Sequence, residues 1–378
     1  MYHVKTMNKI SKIGLAELDD RFAISDTMEH EDAILVRSAK LHDYDFPAEL
    51  KCIARAGAGD NNIPLDRAAD AGIVVFNAPG ANANGVKELT IAALLLASRK
   101  ISQGITWVKE QSAAGADVAA VVEKGKSAYV GPEIMGKTLG VVGLGAIGVL
   151  VANAAAALGM KIVGYDPFLS VTHALNLTPG VEVVDTLPEL YAKADYISLH
   201  LPMNDATRGT LNEAAFAAMK DGVRIVNLAR GELVDTPALK AALDSGKCAA
   251  YVTDFPNSET AAIEGVVAIP HLGASTPESE DNCAMMAARE VKEYLDNGSI
   301  INSVNLPNLT MAWAAKTRVC VISKGADAAA IAGAVPAVAS ASNTRGAYAY
   351  TILDTDAAVD EAAIAAIPGV LRVRVLTR

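Results

Sequence analysis

The chain contains 378 residues, of which 51% are hydrophobic and 20% are charged, and its formal net charge is −10. This composition is typical of a soluble, acidic, globular protein of two or three domains. It argues against a nucleic-acid-binding surface, which needs clustered basic residues. The longest apolar run, Leu89–Ala97, is too short to span a membrane, so no membrane partner is expected.

The cysteine pattern and the first residues bear on the cellular compartment. Residues 1–12 include three lysines but no apolar core, so no secretory signal is predicted. The four cysteines are widely spaced: Cys52, Cys248, Cys283 and Cys320. Because they show no metal-ligand spacing, we predict reduced thiols, no metal site and a cytoplasmic protein.

The first part of the chain alternates short apolar runs with a helix-like segment. Ala33–Val36, Cys52–Ala54 and Ile73–Phe76 are predicted strands, and Leu65–Ala71 is a predicted helix between the last two. Strands joined through helices form parallel sheets that are covered on both faces. An α/β fold is therefore predicted from the first hundred residues onward.

The most specific motif follows the next predicted strand, Thr138–Val142. Gly143, Gly145 and Gly148 form a G-x-G-x-x-G sequence that opens an Ala-rich helix, and Asp166 ends the strand after it. Such glycines allow a tight turn and a close approach to a pyrophosphate, which the helix N-terminus binds. A carboxylate can accept hydrogen bonds from ribose hydroxyls and repels a 2′-phosphate, so NAD is predicted rather than NADP. The alternative is a glycine-rich turn without a ligand.

The same alternation continues to residue 271 and then changes. Further predicted strands are Lys161–Tyr165, Tyr196–Leu199, Val223–Val226, Ala249–Thr253 and Val266–Ile269. Predicted helices between them are Leu187–Lys193, Glu213–Met219 and Pro237–Asp244. A long helix, Pro277–Leu295, and a linker, Asn302–Asn308, follow.

The tail forms a separate predicted unit. It reads as strand Arg318–Ile322, helix Asp327–Ala334, strand Ala337–Ser342, strand Ala347–Leu353, helix Ala357–Ile367 and strand Leu371–Leu376. The two middle strands would form a hairpin. This βαββαβ unit has no evident catalytic residue, so we expect it to be regulatory or dimerising.

Three charged residues follow strands of the middle part: Arg230, Glu259 and His271. Ligands of open α/β sheets bind at the carboxyl ends of the strands. An arginine fork fits a carboxylate, and an imidazole near neutrality can take a hydroxyl proton while a carboxylate orients it. The pattern predicts hydride transfer between a hydroxy acid and a nicotinamide cofactor. A surface arginine and a packed histidine are the alternatives.

Several motifs resemble those of the D-isomer-specific 2-hydroxyacid dehydrogenases. They are Asn227–Asp235 (NLARGELVD), Asp254–Glu259 (DFPNSE), Pro270–Thr276 (PHLGAST), Val36–Ala39 (VRSA), Arg55–Gly59 (RAGAG) and Phe76–Pro79 (FNAP). The tail resembles an ACT domain. The resemblance implies two Rossmann-like parallel-sheet domains, a split substrate-binding domain at 1–92 and 275–303 and an NAD-binding domain at 93–274. A small βαββαβ ACT-like domain at 316–378 completes the expected fold, and a closing cleft between the first two domains would hold the substrate.

The resemblance also implies roles for individual residues. The catalytic residues would be Arg230, Glu259 and His271. The NAD-binding residues would be Gly143, Gly145, Ala146, Ile147, Gly148, Asp166, Ala229, Asp254 and Gly273. The substrate-binding residues would be Arg37, Arg55, Ala58 and Gly59, with the two arginines as candidates for a phosphate and the two backbone N–H groups for a carboxylate. The expected partners are a small substrate with both groups and at least one further copy of the chain. Ordinary surface ion pairing is the alternative for the arginines.

The chain departs from the family pattern after the substrate loop, in the short stretch between Glu259 and His271, and in the tail. After the substrate loop it has Asp60–Pro64 (DNNIP) where V-D-N-I-D is common, and the tail has Ser323–Asp327 (SKGAD) where effector-binding members place His and Asn. Whether the tail binds an effector or only dimerises therefore stays open. Two alternatives to a dehydrogenase for a phosphorylated hydroxy acid also stay open. One is a dehydrogenase of the same family that acts on glyoxylate, hydroxypyruvate or D-lactate, and the other is a non-enzymatic NAD sensor. A sensor has no need of the acid–base residue His271.

Overall fold

The computed structural model describes residues 1–378, and the backbone forms two compact units. The first unit contains Met1–Asn82 and Pro277–Arg378, and the second contains Ala83–Thr276. None of the helices is both long enough and apolar enough to cross a membrane.

A five-stranded parallel sheet forms the centre of the first unit, in the order β2-β1-β3-β4-β5. Its strands are β1 (Tyr2–Met7), β2 (Phe22–Ser25), β3 (Ala33–Val36), β4 (Cys52–Arg55) and β5 (Val74–Phe76). Two short helices accompany them, α1 (Lys12–Leu15) and α2 (Leu65–Asp70). Every residue of β3 and β5 is buried, as expected of parallel strands covered on both faces. The strands β1 and β2 add to those predicted from the sequence.

The second unit is built on a seven-stranded parallel sheet in the order β12-β11-β10-β9-β6-β7-β8. Its strands are β6 (Thr138–Val142), β7 (Lys161–Tyr165), β8 (Glu182–Val183), β9 (Tyr196–Leu199), β10 (Val223–Asn227), β11 (Cys248–Thr253) and β12 (Val266–Ala268). Its helices are α3 (Ala83–Ser98), α4 (Ile101–Ala113), α5 (Val118–Gly125), α6 (Ala146–Ala157), α7 (Val171–Leu175), α8 (Leu187–Lys193), α9 (Glu213–Ala218) and α10 (Thr236–Asp244). The chain runs outward from β6 to β8 and returns with β9 on the other side of β6. Open α/β sheets bind ligands at such a reversal, which here lies at the carboxyl ends of β6 and β9.

Local sequence explains where several of these helices begin. The side chains of Thr186, Asn212 and Asp235 each accept a hydrogen bond from the N–H three residues further on. These contacts satisfy N–H groups that have no partner within the helix. The helices α8, α9 and α10 therefore start at the positions that the sequence predicts to within one residue.

A long helix and a small antiparallel sheet complete the first unit. They comprise α11 (Pro277–Asn297), β13 (Thr317–Lys324), α12 (Ala328–Gly333), β14 (Ala339–Arg345), β15 (Tyr348–Thr355), α13 (Glu361–Ala365) and β16 (Val370–Thr377). The sheet order is β14-β15-β13-β16. The predicted fold class, with two Rossmann-like parallel sheets and a βαββαβ tail, is confirmed.

The tail sheet is covered on both faces. Val319 and Val321 pack with Ile331 of α12 and Ile364 of α13 on one face. On the other face Cys320 and Ile322 of β13 belong to the same core as residues of α11 and β4. The tail is therefore packed into the first unit through its sheet rather than only linked to it by the chain.

Arg374 of β16 satisfies the carboxyl end of α11. Its Nη1 and Nη2 donate to the carbonyl oxygens of Tyr294 and Leu295, each at 2.9 Å, and its side chain is 6% exposed. The last carbonyl groups of a helix have no partner within it, and a cation there also complements the helix dipole. The arginine supplies both interactions.

Arg318 of β13 acts at the same helix end. Its Nη1 donates to the carbonyl oxygen of Asn297 at 2.9 Å, and its Nε and Nη2 bind the two carboxylate oxygens of Asp354 at 2.7 and 2.8 Å. Both side chains are fully buried. Bidentate geometry and additional hydrogen bonds help to offset the cost of burying two charges, and here the pair is bidentate while Asp354 Oδ2 also accepts the N–H of Ala314 at 2.7 Å.

Glu290 is a buried carboxyl group in α11, with 6% of its surface exposed. Its Oε1 accepts a hydrogen bond from Asn302 Nδ2 at 2.7 Å, whereas Oε2 has no partner. Burial raises the pKa of Glu290 to about 8. The folded protein therefore holds a proton on this group near neutral pH.

We predict that Glu290→Gln gains stability relative to the wild-type protein as the pH rises. Above the ordinary glutamate pKa of 4.5, the unfolded chain releases the proton that the folded protein retains up to about pH 8. Wild-type stability should then fall by roughly 1.4 kcal/mol per pH unit from this group alone. The glutamine keeps an acceptor for Asn302 but cannot titrate. Urea unfolding of both proteins between about pH 5 and about pH 8 measures the difference, and a difference that does not change with pH would contradict the assignment.

Candidate active site

The glycine motif joins β6 to α6 at the reversal of strand order. Gly143 has a φ of +95°, and its N–H donates to the carbonyl oxygen of Tyr165 at 2.8 Å. A methyl group at Gly148 would overlap the carbonyl oxygen of Gly143, whereas one at Gly145 would meet no atom within 4 Å. The loop is therefore tightly closed against the strand and open in front of the helix.

The N-terminus of α6 is suited to binding an anion. The helix has 12 residues and no side-chain cap at Gly145, and the N–H groups of Ala146 and Ile147 donate to no acceptor in the chain. Unpaired N–H groups and the positive end of the helix dipole attract phosphate. These residues fit the pyrophosphate of a dinucleotide.

Asp166 lies directly after β7 and is held by the backbone. Its Oδ2 accepts the N–H of Leu144 at 2.9 Å, and its Oδ1 accepts the N–H of Phe168 at 2.8 Å. Each carboxylate oxygen keeps a further lone pair. The fixed carboxylate can therefore accept hydrogen bonds from ribose hydroxyls next to the phosphate site.

His200 was not predicted as a site residue, and it lies directly after β9 beside the glycine loop. A methyl group at Gly143 would be 2.6 Å from the His200 carbonyl oxygen. The ring Nε2 is 2.9 Å from Ser198 Oγ, and burial lowers the pKa of His200 to about 4. The ring is therefore neutral at physiological pH. Its position after a strand next to the reversal of strand order is a signal that could have revealed it.

Asp254, directly after β11, carries an unpaired buried oxygen. The residue is 1% exposed, and its Oδ2 accepts the N–H of Gly273 at 3.0 Å. Oδ1 has no hydrogen-bond partner, and burial raises the pKa of this carboxyl group. A buried acceptor without a donor is costly unless a ligand supplies one. The carboxamide N–H₂ of nicotinamide is such a donor, so this residue also fits the cofactor.

Phe255 brings two of the predicted catalytic residues to one aromatic ring. Its centroid is 4.3 Å from that of the His271 imidazole, and the Arg230 guanidinium carbon lies 5.2 Å from the Phe255 centroid. Both polar side chains are exposed, so they are accessible to a ligand. The sequence motif contains Phe255 but gives no reason to assign it this position.

Glu259 is not paired with His271 in the structure, although the sequence suggests that its carboxylate orients the imidazole. Its side chain is exposed, and its N–H donates to Asn257 Oδ1 at 3.0 Å. No hydrogen bond or ion pair joins its carboxylate to the imidazole. Catalytic hydrogen bonds often tighten only when substrate is bound. The structure thus brings Arg230 and His271 together but does not pair Glu259 with His271.

The predicted substrate loop lies in the first unit. Arg55 donates from Nε to the Arg37 carbonyl oxygen at 3.1 Å and from Nη1 to the Gly59 carbonyl oxygen at 2.9 Å. The N–H groups of Ala58 and Gly59 donate to no acceptor. Arg37 Nη2 lies 2.7 Å from an oxygen of Glu280, and both side chains are more than 40% exposed. The loop therefore offers two N–H groups, and Arg55 shapes its backbone.

Comparison with known proteins identifies the family. Residues 91–273 match the family model of the "D-isomer specific 2-hydroxyacid dehydrogenase, NAD binding domain". The chain is similar to the D-3-phosphoglycerate dehydrogenase of Methanocaldococcus jannaschii, with 35% identity over 81% of this chain and 58% of the relative. It is 40% identical to the Mycobacterium tuberculosis (H37Rv) enzyme of that name over 76% of this chain and 53% of the relative. The chain thus spans between half and two thirds of the length of these relatives.

Solved structures agree with this similarity. A glyoxylate reductase from Paecilomyces thermophila superposes with a TM-score of 0.66 at 28% identity, covering 80% of this chain and 98% of its own. An NAD⁺-bound 3-phosphoglycerate dehydrogenase of Entamoeba histolytica gives a TM-score of 0.61 at 26% identity, covering 82% and 99%. Residues 91–273, which lie within the second unit, therefore form the NAD-binding domain of the D-isomer-specific 2-hydroxyacid dehydrogenase family.

We predict that Gly145→Ala folds normally but binds NADH poorly. The added methyl group meets no atom of the protein, and the φ of −74° suits alanine, but the group would project in front of the helix N-terminus. NADH affinity, measured by fluorescence titration, should fall at least about tenfold at an unchanged melting temperature. Gly148→Ala is the contrasting variant, because its methyl group overlaps the protein itself and should lower the melting temperature. Unaltered NADH affinity in Gly145→Ala would exclude this loop as the pyrophosphate site.

Proposed function

We propose that this protein oxidises D-3-phosphoglycerate to 3-phosphohydroxypyruvate with NAD, the first step of the phosphorylated route to L-serine. The observation that carries the proposal is the placement of Arg230 and His271 against the ring of Phe255. Phe255 directly follows Asp254, which has an unpaired buried carboxylate oxygen. An anion-binding group, a proton acceptor and a nicotinamide-binding group are thereby held by neighbouring strand ends. The relatives named D-3-phosphoglycerate dehydrogenase support the choice of substrate.

The residues divide the chemical work. The glycine motif, Asp166 and Asp254 would hold NAD, which would supply the acceptor for the substrate hydride. His271 accepts the hydroxyl proton, which an imidazole can do near neutral pH. Arg230 binds the substrate carboxylate and polarises the oxygen that becomes a carbonyl group, because its planar fork suits both tasks. Glu259 would stabilise the protonated imidazole once substrate brings the two side chains into hydrogen-bond distance.

The first unit carries groups that suit an anionic ligand. The unpaired N–H groups of Ala58 and Gly59 suit a carboxylate. Arg37 suits the phosphate, because its exposed ion pair with Glu280 contributes little and is readily exchanged for a stronger anion. Arg55, which bonds to two backbone carbonyl groups, would support the loop and add positive charge beside it.

The proposal includes the organisation of the chain. Residues 1–92 with 275–303 would bind the substrate, and residues 316–378 would serve regulation or dimerisation. Residues 93–274 would bind NAD through the glycine motif, Asp166, Ala229, Asp254 and Gly273. We further propose a cytoplasmic homodimer or larger homo-oligomer that binds no nucleic acid. These assignments follow the family resemblance, and the strong acidic charge of −10 supports the last of them.

We predict that the wild-type protein forms NADH from NAD and D-3-phosphoglycerate and that His271→Asn lowers kcat by at least about 100-fold. The asparagine keeps a polar side chain but cannot take the proton. Absorbance of the reduced nicotinamide measures turnover, and NADH fluorescence serves as the control, because NADH affinity should not change. Good turnover of only glyoxylate, hydroxypyruvate or D-lactate would indicate the related dehydrogenase. NADH binding without turnover of any of these acids would indicate a sensor.

We predict that Arg37→Ala selectively harms the phosphorylated substrate. A charge-assisted contact contributes about 1.5–3 kcal/mol, so kcat/KM for D-3-phosphoglycerate should fall roughly 10- to 100-fold. The matched comparison uses D-glycerate, which lacks the phosphate. The kcat/KM of the same variant for D-glycerate should change little. An equal loss for both acids would show that Arg37 acts on the fold rather than on the phosphate.

A further inference from the structure

Asn227 is the last residue of β10 and is fully buried. Its Oδ1 accepts the N–H of Ala229 at 3.1 Å. Its Nδ2 donates to the carbonyl oxygen of Arg230 at 2.8 Å and to Tyr251 Oη at 3.0 Å. The amide therefore closes a three-residue turn on the backbone of the arginine and fastens this turn to the next strand.

The next strand carries the aromatic ring that Arg230 faces. Asn227 is paired in register with Thr253 of β11, whose Oγ1 accepts the N–H of Phe255 at 3.0 Å. Tyr251, two residues earlier in β11, is 2% exposed. Two buried polar side chains at paired positions of adjacent strands thus hold the backbone here. Asn227 holds that of Arg230, and Thr253 holds that of Phe255.

We propose that Asn227 is the positioning residue for Arg230. By holding the N–H of Ala229 and the carbonyl group of Arg230, the side-chain amide sets the direction in which the arginine leaves the strand, so that the guanidinium stands over Phe255 beside His271. The inference rests on the proposed function, because it takes Arg230 as the group that binds the substrate carboxylate. Asn227 itself has no contact with the reacting atoms and is not a catalytic residue.

The chemistry of the amide explains why this position needs asparagine. One acceptor and two donor hydrogens are required, and a side-chain amide has all three. An aspartate keeps the acceptor for Ala229 but turns an oxygen toward the Arg230 carbonyl oxygen, which it would repel. An alanine removes the hydrogen-bond partners that Asn227 gives to the N–H of Ala229 and the carbonyl group of Arg230. Both changes should move Arg230 and the backbone of Ala229 but leave the glycine motif, Asp166 and Asp254 in place.

The test is binding of oxalate to the NADH-loaded protein, because oxalate is a dicarboxylate that needs the arginine but no turnover. In Asn227→Asp the dissociation constant of oxalate should rise roughly 10- to 100-fold, as expected for a lost charge-assisted contact. NADH affinity should fall much less than oxalate affinity, because Ala229 is only one of the residues proposed to bind NAD. In turnover, KM for the acid substrate should rise more than kcat falls.

Three further variants make the result specific. Arg230→Ala sets the size of the full loss of oxalate affinity. Asn212→Asp makes the same chemical change at the exposed cap of α9 and should leave oxalate affinity unchanged. Tyr251→Phe removes one partner of Asn227 but leaves both bonds to the backbone of Ala229 and Arg230, so its effect should be smaller than that of Asn227→Asp.

The outcomes separate the two proposals. If Arg230→Ala leaves oxalate binding unchanged, the proposed role of Arg230 fails and the proposed function fails with it. If Arg230→Ala weakens oxalate binding but Asn227→Asp does not, only the positioning role is overturned. An equal loss of NADH and oxalate affinity in Asn227→Asp would also overturn it, since a general defect of the fold affects both. If Asn227→Asp does not fold, Asn227→Ser replaces it, because serine can still make one of the three hydrogen bonds. Its loss of oxalate affinity should lie between wild type and Arg230→Ala and should exceed any loss of NADH affinity. Wild-type oxalate affinity in Asn227→Ser would overturn the proposal.

Discussion

All strands of the seven-stranded sheet run in one direction, and the candidate site depends on this constraint. Helices cover a parallel sheet on its faces, so loop backbone and polar side chains are offered mainly at the strand ends. Gly143, Asp166, His200 and Asp254 each directly follow a strand, and Asn227 ends one. Residues that are far apart in the sequence therefore share one edge, and the reversal of strand order between β6 and β9 opens the place where a nucleotide fits.

The strands β6, β9 and β10 of this sheet were predictable because nearly all of their residues are buried and most are apolar. The strands β1 and β2 of the five-stranded sheet were not. In β1 only Val4 is buried, and in β2 only Phe22, so neither segment has the continuous apolar run that marks a covered parallel strand. Their place is set by backbone pairing of β1 with both β2 and β3, which no local pattern records. The βαββαβ order of the tail was predictable because its turns and alternating strands are local features.

The same distinction holds within the candidate site. Gly143, Asp166 and His271 could be proposed from the sequence, because a phosphate turn, a ribose acceptor and a proton acceptor would each demand a particular residue type. The contact of Phe255 with His271 could not, since it depends on how two loops fold above neighbouring strands. The place of Asn227 opposite Thr253 depends on strand register, and the separation of Glu259 from His271 depends on a short turn held by Asn257.

The guanidinium groups of Arg374 and Arg318 belong to the tail, whereas the carbonyl groups that they bind belong to α11. Each half of this junction is incomplete without the other. A chimera in which the tail is exchanged for an unrelated domain of equal size would inherit a helix end with bare carbonyl groups and an uncovered apolar core. In this protein α11 and the tail therefore form one structural block, even though they look like separate modules along the chain.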